Sequence, residues 1–183
     1  MNLEIVEIGT SDFWTEAGQK DGLFIEPIKE YFDRLGDCRK ENVAVSNYEG
    51  EIEIYYIPSE VIYSNNIPKG LRGCNSVGAP HPTVIKLGYG EYIQKGIVKV
   101  KRIKTLLDKH GVTGIEFLKI DTEGHDCVIL NDFLDTCDIL PKKIQFEANI
   151  LSKEKDVLEV IERLKHFGYN CNRLGEDCIC ILS

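Results

Sequence analysis

The apolar positions of the chain fall into short runs that predict strands, and most of the runs are separated by segments with helical spacing. One of the runs, EIEIYYI (51–57), alternates apolar and polar residues and predicts a strand with one face in water. The runs that predict buried strands are LEIVEIG (3–9), GLFIEP (22–27), NVAVS (42–46), GIEFLKID (114–121) and KKIQFEAN (142–149).

Helical spacing follows several of these runs. Apolar residues recur on one helical face after Pro27, which suits the first position of a helix. Residues 103–111 predict a helix closed by glycine, and residues 127–134 predict another. The helix pattern that ends at Gly168 is Val157, Val160, Ile161, Leu164 and Phe167.

Strands that alternate with helices predict an α/β fold, Rossmann-like and doubly wound, with a mostly parallel sheet covered by helices on both faces. YNCNRL (169–174) and DCICIL (177–182) predict a closing antiparallel hairpin. The length of 183 residues predicts a single domain over residues 1–183.

Ligands of such sheets bind beyond the carboxyl ends of the strands, where the strand order reverses. Four predicted strands end at acidic residues, which we expect to converge on one crevice: Glu7 with Gly9, Glu26, Asp121 and Glu147.

Residues 58–96 hold four of the six prolines and six glycines, so they predict a loop-rich segment that can carry substrate contacts. Within it, Ser76 and His81 could contact a cofactor carboxylate or an acceptor, or could belong to a plain surface loop.

The formal charge of −8 argues against binding to a nucleic-acid backbone. The basic run VKVKRIK (98–104) predicts an edge strand that enters a helix. No apolar stretch is long enough to predict a membrane span, and the N-terminus does not resemble a signal peptide. Seven irregularly spaced cysteines make a disulfide framework or zinc site unexpected and predict that most of them are buried thiols in a reducing compartment, the cytoplasm.

The segment EIGTSDF (7–13) predicts a tight turn at Gly9. Ser11 and Trp14 stand where a dinucleotide fingerprint has glycines, so the turn is a poor cradle for phosphate. Glu26 lies where an acid binds ribose hydroxyls in doubly wound folds, although it could also favour the N-terminus of the helix after it. A nucleoside that is positively charged and lacks phosphate, such as S-adenosylmethionine, suits this acidic crevice.

The segments VEIGTSDF, FIEP, NVAVSNYEG and above all FLKIDTEGHD resemble the FkbM family of S-adenosylmethionine-dependent methyltransferases. The resemblance runs from residue 3 to the closing hairpin. It implies a seven-stranded methyltransferase sheet and methyl transfer to an oxygen, often a sugar hydroxyl. The cofactor contacts that it implies are Glu7, Gly9, Thr10, Ser11, Glu26, Ala44, Val45 and Ser46, with Asp121 near the reactive centre. Pro27, next to Glu26, and Ser76 of the loop-rich segment are further candidate contacts of the cofactor.

The chain departs from the common pattern at Ser11 and Phe13, where many methyltransferases have small residues or glycine. It also begins almost at its first strand, without the N-terminal extension that is common in the family. We therefore expect either one domain of a longer protein or an open site completed in an oligomer.

Catalysis of methyl transfer to a hydroxyl requires a group that takes the proton. Asp121, Glu123 and His125 are the candidates, and a carboxylate could orient the imidazole. Asp121 or Thr122 could instead cap the following helix. A divalent metal held by Asp121, Glu123, His125 and Glu147 is a further alternative.

Three functions therefore remain open at this point. The first is an O-methyltransferase that acts on a carbohydrate or another small hydroxyl compound. The second is a nicotinamide-dependent oxidoreductase, against which the missing glycines count. The third is a non-catalytic nucleoside-binding module.

Overall fold

The structure is a computed structural model that describes all residues from Met1 to Ser183. The chain forms two compact units. The first comprises Met1–Gly50 and Lys99–Ser183, and the second comprises Glu51–Val98. The single domain expected over residues 1–183 stays a prediction.

The strands and helices are short, and every apolar run that predicts a strand overlaps one. The strands are β1 (Asn2–Ile8), β2 (Gly22–Ile25), β3 (Lys40–Glu41), β4 (Ala44–Val45), β5 (Gly50–Tyr56), β6 (Ser76–Val77), β7 (Gln94–Lys101), β8 (Gly114–Ile120), β9 (Lys143–Glu147), β10 (Tyr169–Leu174) and β11 (Asp177–Leu182). The helices are α1 (Lys29–Arg34), α2 (Ser59–Ser64), α3 (Pro82–Lys86), α4 (Ile103–Lys109), α5 (Asp126–Thr136) and α6 (Glu154–His166), with 3-10 turns at Lys69–Arg72 and Gly90–Tyr92.

The first unit contains a seven-stranded sheet in the order β10-β11-β9-β8-β1-β2-β3. Neighbouring strands from β9 to β3 are parallel, whereas β11 is antiparallel to both β9 and β10. The antiparallel hairpin was therefore predicted correctly, but the sheet is mixed rather than mostly parallel, because β11 inserts between β9 and β10. The chain order of the strands reverses between β1 and β8, which is where such sheets bind ligands.

The two faces of this sheet are covered differently. One large core cluster joins buried residues of the sheet to those of α4, α5 and α6, including Leu106, Leu130 and Val160. A small cluster contains Ile5 and Phe24, with Leu35 just after α1. Helices were predicted on both faces of the sheet, but the two faces carry unequal helical layers. No helix lies between β1 and β2.

The third strand of the main sheet is Lys40–Glu41 and not the predicted run 42–46. Asn42 interrupts the run, because its side-chain amide donates hydrogen bonds to the carbonyls of Glu26 and Pro27 at 2.8 and 3.0 Å. The next residues form β4, which pairs in parallel with Val100 and Lys101 of β7 in a different sheet.

The second unit has its own small core of Ile57, Ile62, Ile67, Leu71 and Val84. Strands β5 and β6 pair there in antiparallel fashion, and α2 and α3 are each less than two turns long. Strand β6 and both helices lie within the segment 58–96 that was predicted to be loop-rich, whereas β5 corresponds to the strand predicted at 51–57.

Cys171 and Cys180 are exceptions to the predicted thiols, because they form a disulfide. These residues are direct partners across β10 and β11, with Cα atoms 4.0 Å apart. Their spacing gave no indication of this, because the pairing depends on the register set by the hairpin turn. The other five cysteines are free, and burial raises the pKa of Cys127 to about 12, which keeps that thiol protonated. None of the helices has the length and apolar character needed to span a bilayer.

Candidate active site

Neighbouring strands of the main sheet end at the same level. Ile8 pairs with Ile25 on one side and with Ile120 on the other, and Ile120 pairs with Phe146. The next residues on four adjacent strands are therefore side by side. Gly9, Glu26 and Asp121 directly follow their strands, and Glu147 is the last residue of β9. The chain order reverses between the two central strands, so these residues surround the position where a ligand is expected.

The turn after β1 is held tightly between its two neighbours. Gly9 has a φ of +79°, and a Cβ atom there would lie 1.8 Å from the carbonyl oxygen of Asp121. The amide of Gly9 donates to the carbonyl of Ile25 at 3.0 Å, and the amide of Asp121 donates to that of Ile8 at 2.9 Å. Only glycine fits this position, because both its conformation and its contact with β8 exclude a side chain.

Thr10 is almost completely buried, with 1% of its surface exposed. Its hydroxyl oxygen has no hydrogen-bond partner within the chain. Buried hydroxyl groups are nearly always hydrogen-bonded, so the unsatisfied oxygen beside the Gly9 turn indicates a contact that a ligand can complete.

Glu26 connects the turn after β1 to the helix after β2. One of its carboxylate oxygens accepts the amide of Ser11 at 2.7 Å, and the other accepts the amide of Ile28 at 2.7 Å. Burial raises the pKa of Glu26 to about 7, although the two amide hydrogen bonds oppose this, and nearby Asp12 raises it further. Each oxygen has a second lone pair, so Glu26 can still accept hydrogen bonds from a ligand.

Glu7 is fully buried and is already occupied by the protein. One oxygen pairs with the Lys119 ammonium at 2.7 Å, and the other accepts the Thr15 hydroxyl at 2.8 Å and the Glu16 amide at 3.1 Å. Lys119 also donates to the carbonyl of Trp14 at 2.9 Å. Glu7 therefore anchors the loop that replaces a helix after β1, a function that its position in the sequence did not reveal.

The turn between β8 and α5 is organised by Asp126, which was not among the predicted site residues. One of its carboxylate oxygens accepts the hydroxyl and the amide of Thr122 at 2.6 and 3.2 Å. The other accepts the amide of Glu147 at 2.9 Å and so ties the turn to β9. Its only sequence signal is an acid in the first turn of a helix, which is common at exposed helix ends.

Two residues of this turn have left-handed backbone conformations. Glu123 has a φ of 53° and Gly124 a φ of 93°. A Cβ atom on Gly124 would lie 2.7 Å from that of Leu151, so the turn also packs closely against the segment after β9. Glu123 accepts a hydrogen bond from the side-chain amide of Asn149 at 3.2 Å.

Like charges accumulate at this end of the sheet. Asp121 is exposed to solvent. Burial of its carboxyl group and the charge of Asp126 raise its pKa to about 7, while Lys119 opposes the shift. Burial, Glu123 and Asp121 raise the pKa of Glu147 to about 9. One carboxyl oxygen of Glu147 is buried and has no hydrogen-bond partner. The cluster therefore favours the binding of a cation or of protons.

His125 lies close to a residue that is distant in the sequence. Its Nε2 atom is 2.9 Å from the hydroxyl oxygen of Ser46, which follows β4 and is 1% exposed. Burial lowers the pKa of His125, so the imidazole is uncharged at neutral pH. Two residues predicted for different roles, one catalytic and one in cofactor binding, are thus in direct contact.

The predicted metal site is not assembled. No three of Asp121, Glu123, His125 and Glu147 bring ligand atoms within 4.8 Å of one another. The imidazole of His125 is directed to Ser46, and Glu123 accepts the hydrogen bond from Asn149.

The remaining predicted residues have ordinary structural contacts. Ala44 and Val45 are buried in β4, and the amide of Ser46 continues that pairing by donating to Lys101 at 3.1 Å. Helix α1 begins at Lys29, two residues later than the start predicted at Pro27. In the second unit, the hydroxyl of Ser76 donates to the carbonyl of Ala79 at 2.6 Å.

In the same unit, His81 precedes α3 as its N-cap residue. The Nδ1 atom of its imidazole accepts the Thr83 amide at 3.1 Å. His81 therefore contributes to the start of a helix, which the loop interpretation did not foresee.

The mixed sheet and the strand-end site define an α/β protein of the kind that binds ligands where the strand order reverses. The family model for the methyltransferase FkbM domain matches residues 7–171, so the chain belongs to that family. The resemblance of FLKIDTEGHD and the other three segments to this family is therefore confirmed.

A solved structure supports the fold. The chain is similar to the crystal structure of methyltransferase FkbM from Methylobacillus flagellatus KT, with a TM-score of 0.54 and 12% sequence identity. The similarity covers 99% of this chain and 44% of that chain, so this chain spans less than half the length of that protein. Among curated proteins, no sequence matches this chain.

Proposed function

We propose that this chain is an S-adenosylmethionine-dependent O-methyltransferase that acts on a hydroxyl group of a sugar or glycan. Membership of the FkbM methyltransferase family supports methyl transfer. The observation that carries the proposal is the placement of Gly9, Glu26 and Asp121 at adjacent strand ends, where the chain order of the sheet reverses.

The residues at the first two strand ends suit the nucleoside part of S-adenosylmethionine. Glu26 is fixed by two backbone amides and retains lone pairs that can accept both hydroxyls of a ribose. The unsatisfied hydroxyl of Thr10 lies on the same turn and can complete a hydrogen bond to the ligand. S-adenosylmethionine, when bound, supplies a methyl group carried on a positively charged sulfur.

The carboxyl groups of Asp121 and Glu123, which follow β8, suit that positive charge. Burial and, after it, the charges of Asp126 and Glu123 raise the pKa of Asp121 to about 7, and a nearby cation would lower that pKa. We therefore assign Asp121 an ionised state in the complex, in which its charge stabilises the cation and directs the reactive end of the cofactor. Glu123, held by Asn149, adds to the same negative field.

The same charges bear on the acceptor. A phosphorylated acceptor would be repelled by the acids around Asp121, whereas an uncharged hydroxyl compound such as a sugar would not. The loop from Thr10 to Glu16 is held rigidly through Glu7 and Lys119, so it can form one wall of the acceptor site.

The structure disfavours a nicotinamide-dependent oxidoreductase. Dinucleotide-binding folds place the pyrophosphate at the N-terminus of a helix that follows the glycine turn. Here the turn after β1 leads into a loop, and no helix precedes β2. A non-catalytic nucleoside-binding module would share the Glu26 site and differ only in lacking turnover.

Thermal-shift measurements with four ligands test the proposal. S-adenosylmethionine and S-adenosylhomocysteine should raise the melting temperature, while NAD and NADP should not. Transfer of labelled methyl groups to a panel of glycans then tests turnover. No shift with either sulfur ligand would reject the methyltransferase, and binding without turnover on any glycan would favour the binding module.

A further inference from the structure

The contact between His125 and Ser46 extends to a third residue. The Ser46 hydroxyl donates a hydrogen bond to the side-chain carbonyl oxygen of Asn47 at 3.3 Å. The same hydroxyl oxygen lies 2.9 Å from Nε2 of His125. Asn47, Ser46 and His125 therefore form a hydrogen-bonded relay between the segment after β4 and the residue that precedes α5.

The chemistry of the three groups allows one arrangement of protons in a neutral relay. A carbonyl oxygen can only accept, so the single hydroxyl proton of Ser46 must lie toward Asn47 if that contact is a hydrogen bond. The hydroxyl oxygen must then accept from His125, which places the imidazole proton on Nε2. The partner of one ring nitrogen thus determines which nitrogen carries the proton.

The other ring nitrogen remains available. Nδ1 of His125 makes no hydrogen bond within the chain, although the residue is half-buried. In the Nε2-protonated form, Nδ1 presents a lone pair rather than a proton. His125 directly precedes α5, whose N-terminus disfavours a positive charge, and burial also lowers its pKa. Nδ1 is therefore a neutral acceptor four residues beyond Asp121.

We propose that Asn47 and Ser46 are positioning residues that hold His125 in its Nε2-protonated tautomer, so that Nδ1 takes the proton of the acceptor hydroxyl. This assignment rests on the proposed function and adds its proton acceptor. The hydroxyl oxygen forms a bond to the methyl carbon, the carbon–sulfur bond breaks with its electron pair remaining on sulfur, and the hydroxyl proton passes to Nδ1. Asp121 keeps its charge throughout, since a neighbouring cation favours its ionised form.

The tautomer can be measured without cofactor or acceptor. Long-range proton–nitrogen NMR spectra of the ¹⁵N-labelled protein distinguish the two neutral tautomers of each of its four histidines. His125→Gln assigns the signals of His125 by their disappearance. We expect Nε2 of His125 to carry the proton at neutral pH, and a proton on Nδ1 would overturn the relay.

Two variants test whether the relay determines the tautomer. Asn47 is exposed, so Asn47→Ala should fold normally and free the Ser46 hydroxyl to donate to Nε2. The population with a proton on Nδ1 should then rise, whereas Asn47→Asp, which retains an acceptor, should keep the original tautomer. Asn172→Ala, at an exposed position of β10, is the matched control. An unchanged His125 spectrum in Asn47→Ala would contradict the proposal.

Turnover provides a second measurement, in which Ser46→Ala should lower kcat on the order of tenfold or more while the KM for S-adenosylmethionine changes little. Ser46→Thr should restore much of the rate, because it returns the hydroxyl. If the tautomer is as expected but no acceptor is ever methylated, the proposed function fails and the relay stands. If turnover occurs and Ser46→Ala leaves kcat unchanged, the assigned role of the relay fails.

Discussion

The backbone amide of Ser11 donates a 2.7 Å hydrogen bond to the carboxylate of Glu26. This contact joins the turn after β1 to the end of β2, so the two parts of the proposed cofactor site are one structural feature. Glu26 also holds the amide of Ile28, just before α1. Glu26 was interpreted either as an acid that binds ribose or as an acid that favours the helix after it. One conformation of its carboxylate is compatible with both roles.

Replacement of Glu26 should weaken cofactor binding more than it weakens the fold. Glu26→Gln keeps the shape but leaves an NH₂ group facing one of the two backbone amides, and lost hydrogen bonds to a charged group cost about 1.5–3 kcal/mol. We expect an increase in the Kd for S-adenosylhomocysteine of roughly tenfold or more, measured by calorimetry. Glu159→Gln, exposed on α6, is the control, and equal affinities in the two variants would contradict the assignment.

The ends of β1, β2 and β8 could be predicted because each buried run stops abruptly at a residue that a sheet interior excludes. Gly9, Glu26 and Asp121 are such residues, and strand register then brings them together. Parallel strands that are buried on both faces read as continuous apolar segments, so their limits are visible without any tertiary information.

Other features depend on contacts between residues that are distant in the sequence. Asn42 ends the third strand through hydrogen bonds to carbonyls after β2, and nothing in NVAVS indicates them. Asp126 resembles an ordinary helix-start acid until β9 places the amide of Glu147 against it. The contact between Ser46 and His125 spans two sheets, so local patterns could not reveal it.

Binding of S-adenosylmethionine should depend on pH through Asp121. Below its pKa of about 7 the carboxyl is protonated and cannot stabilise a cation, whereas above that pH it is ionised. Affinity for S-adenosylmethionine should therefore rise as pH increases from about 6 to about 8. S-adenosylhomocysteine lacks the positive charge on sulfur, so its affinity should show only the pH dependence that both ligands share through Glu26, whose pKa is also about 7.

Calorimetric titrations of both ligands at several pH values measure this difference directly. Asp121→Asn removes the ionisable group beside the sulfur, so the two ligands should then show the same dependence on pH. A parallel pH dependence of the two ligands in the unaltered protein would show that Asp121 does not face the sulfur.

Glu147 should make the fold less stable as the pH rises. Its pKa is about 9 in the folded protein and 4.5 ordinarily, so between these values the folded state binds more protons than the unfolded state. The contribution of this group to the free energy of unfolding is fully present below about pH 4.5. It is lost progressively as the pH rises toward 9.

Glu147→Gln keeps a neutral side chain at every pH and should remove this loss. Its melting temperature should exceed that of the unaltered protein at pH 8 and should match it near pH 5. Glu159→Gln should show no such pH-dependent difference in melting temperature, because Glu159 is exposed on α6. A variant that is equally destabilised at both pH values would mean that Glu147 is held as a charged group.

Gly9→Ala separates the two reasons for a glycine at the turn. Alanine in a left-handed conformation costs about 1–2 kcal/mol, and here the added methyl group would also collide with the carbonyl oxygen of Asp121. Gly36 has a similar φ of +72° with open space around it, so Gly36→Ala measures the conformational cost alone. In urea unfolding, Gly9→Ala should lose clearly more stability than Gly36→Ala and should also bind S-adenosylhomocysteine poorly. Equal losses in the two variants would show that the turn can move away from β8, which would remove the close packing on which the strand-end site is built.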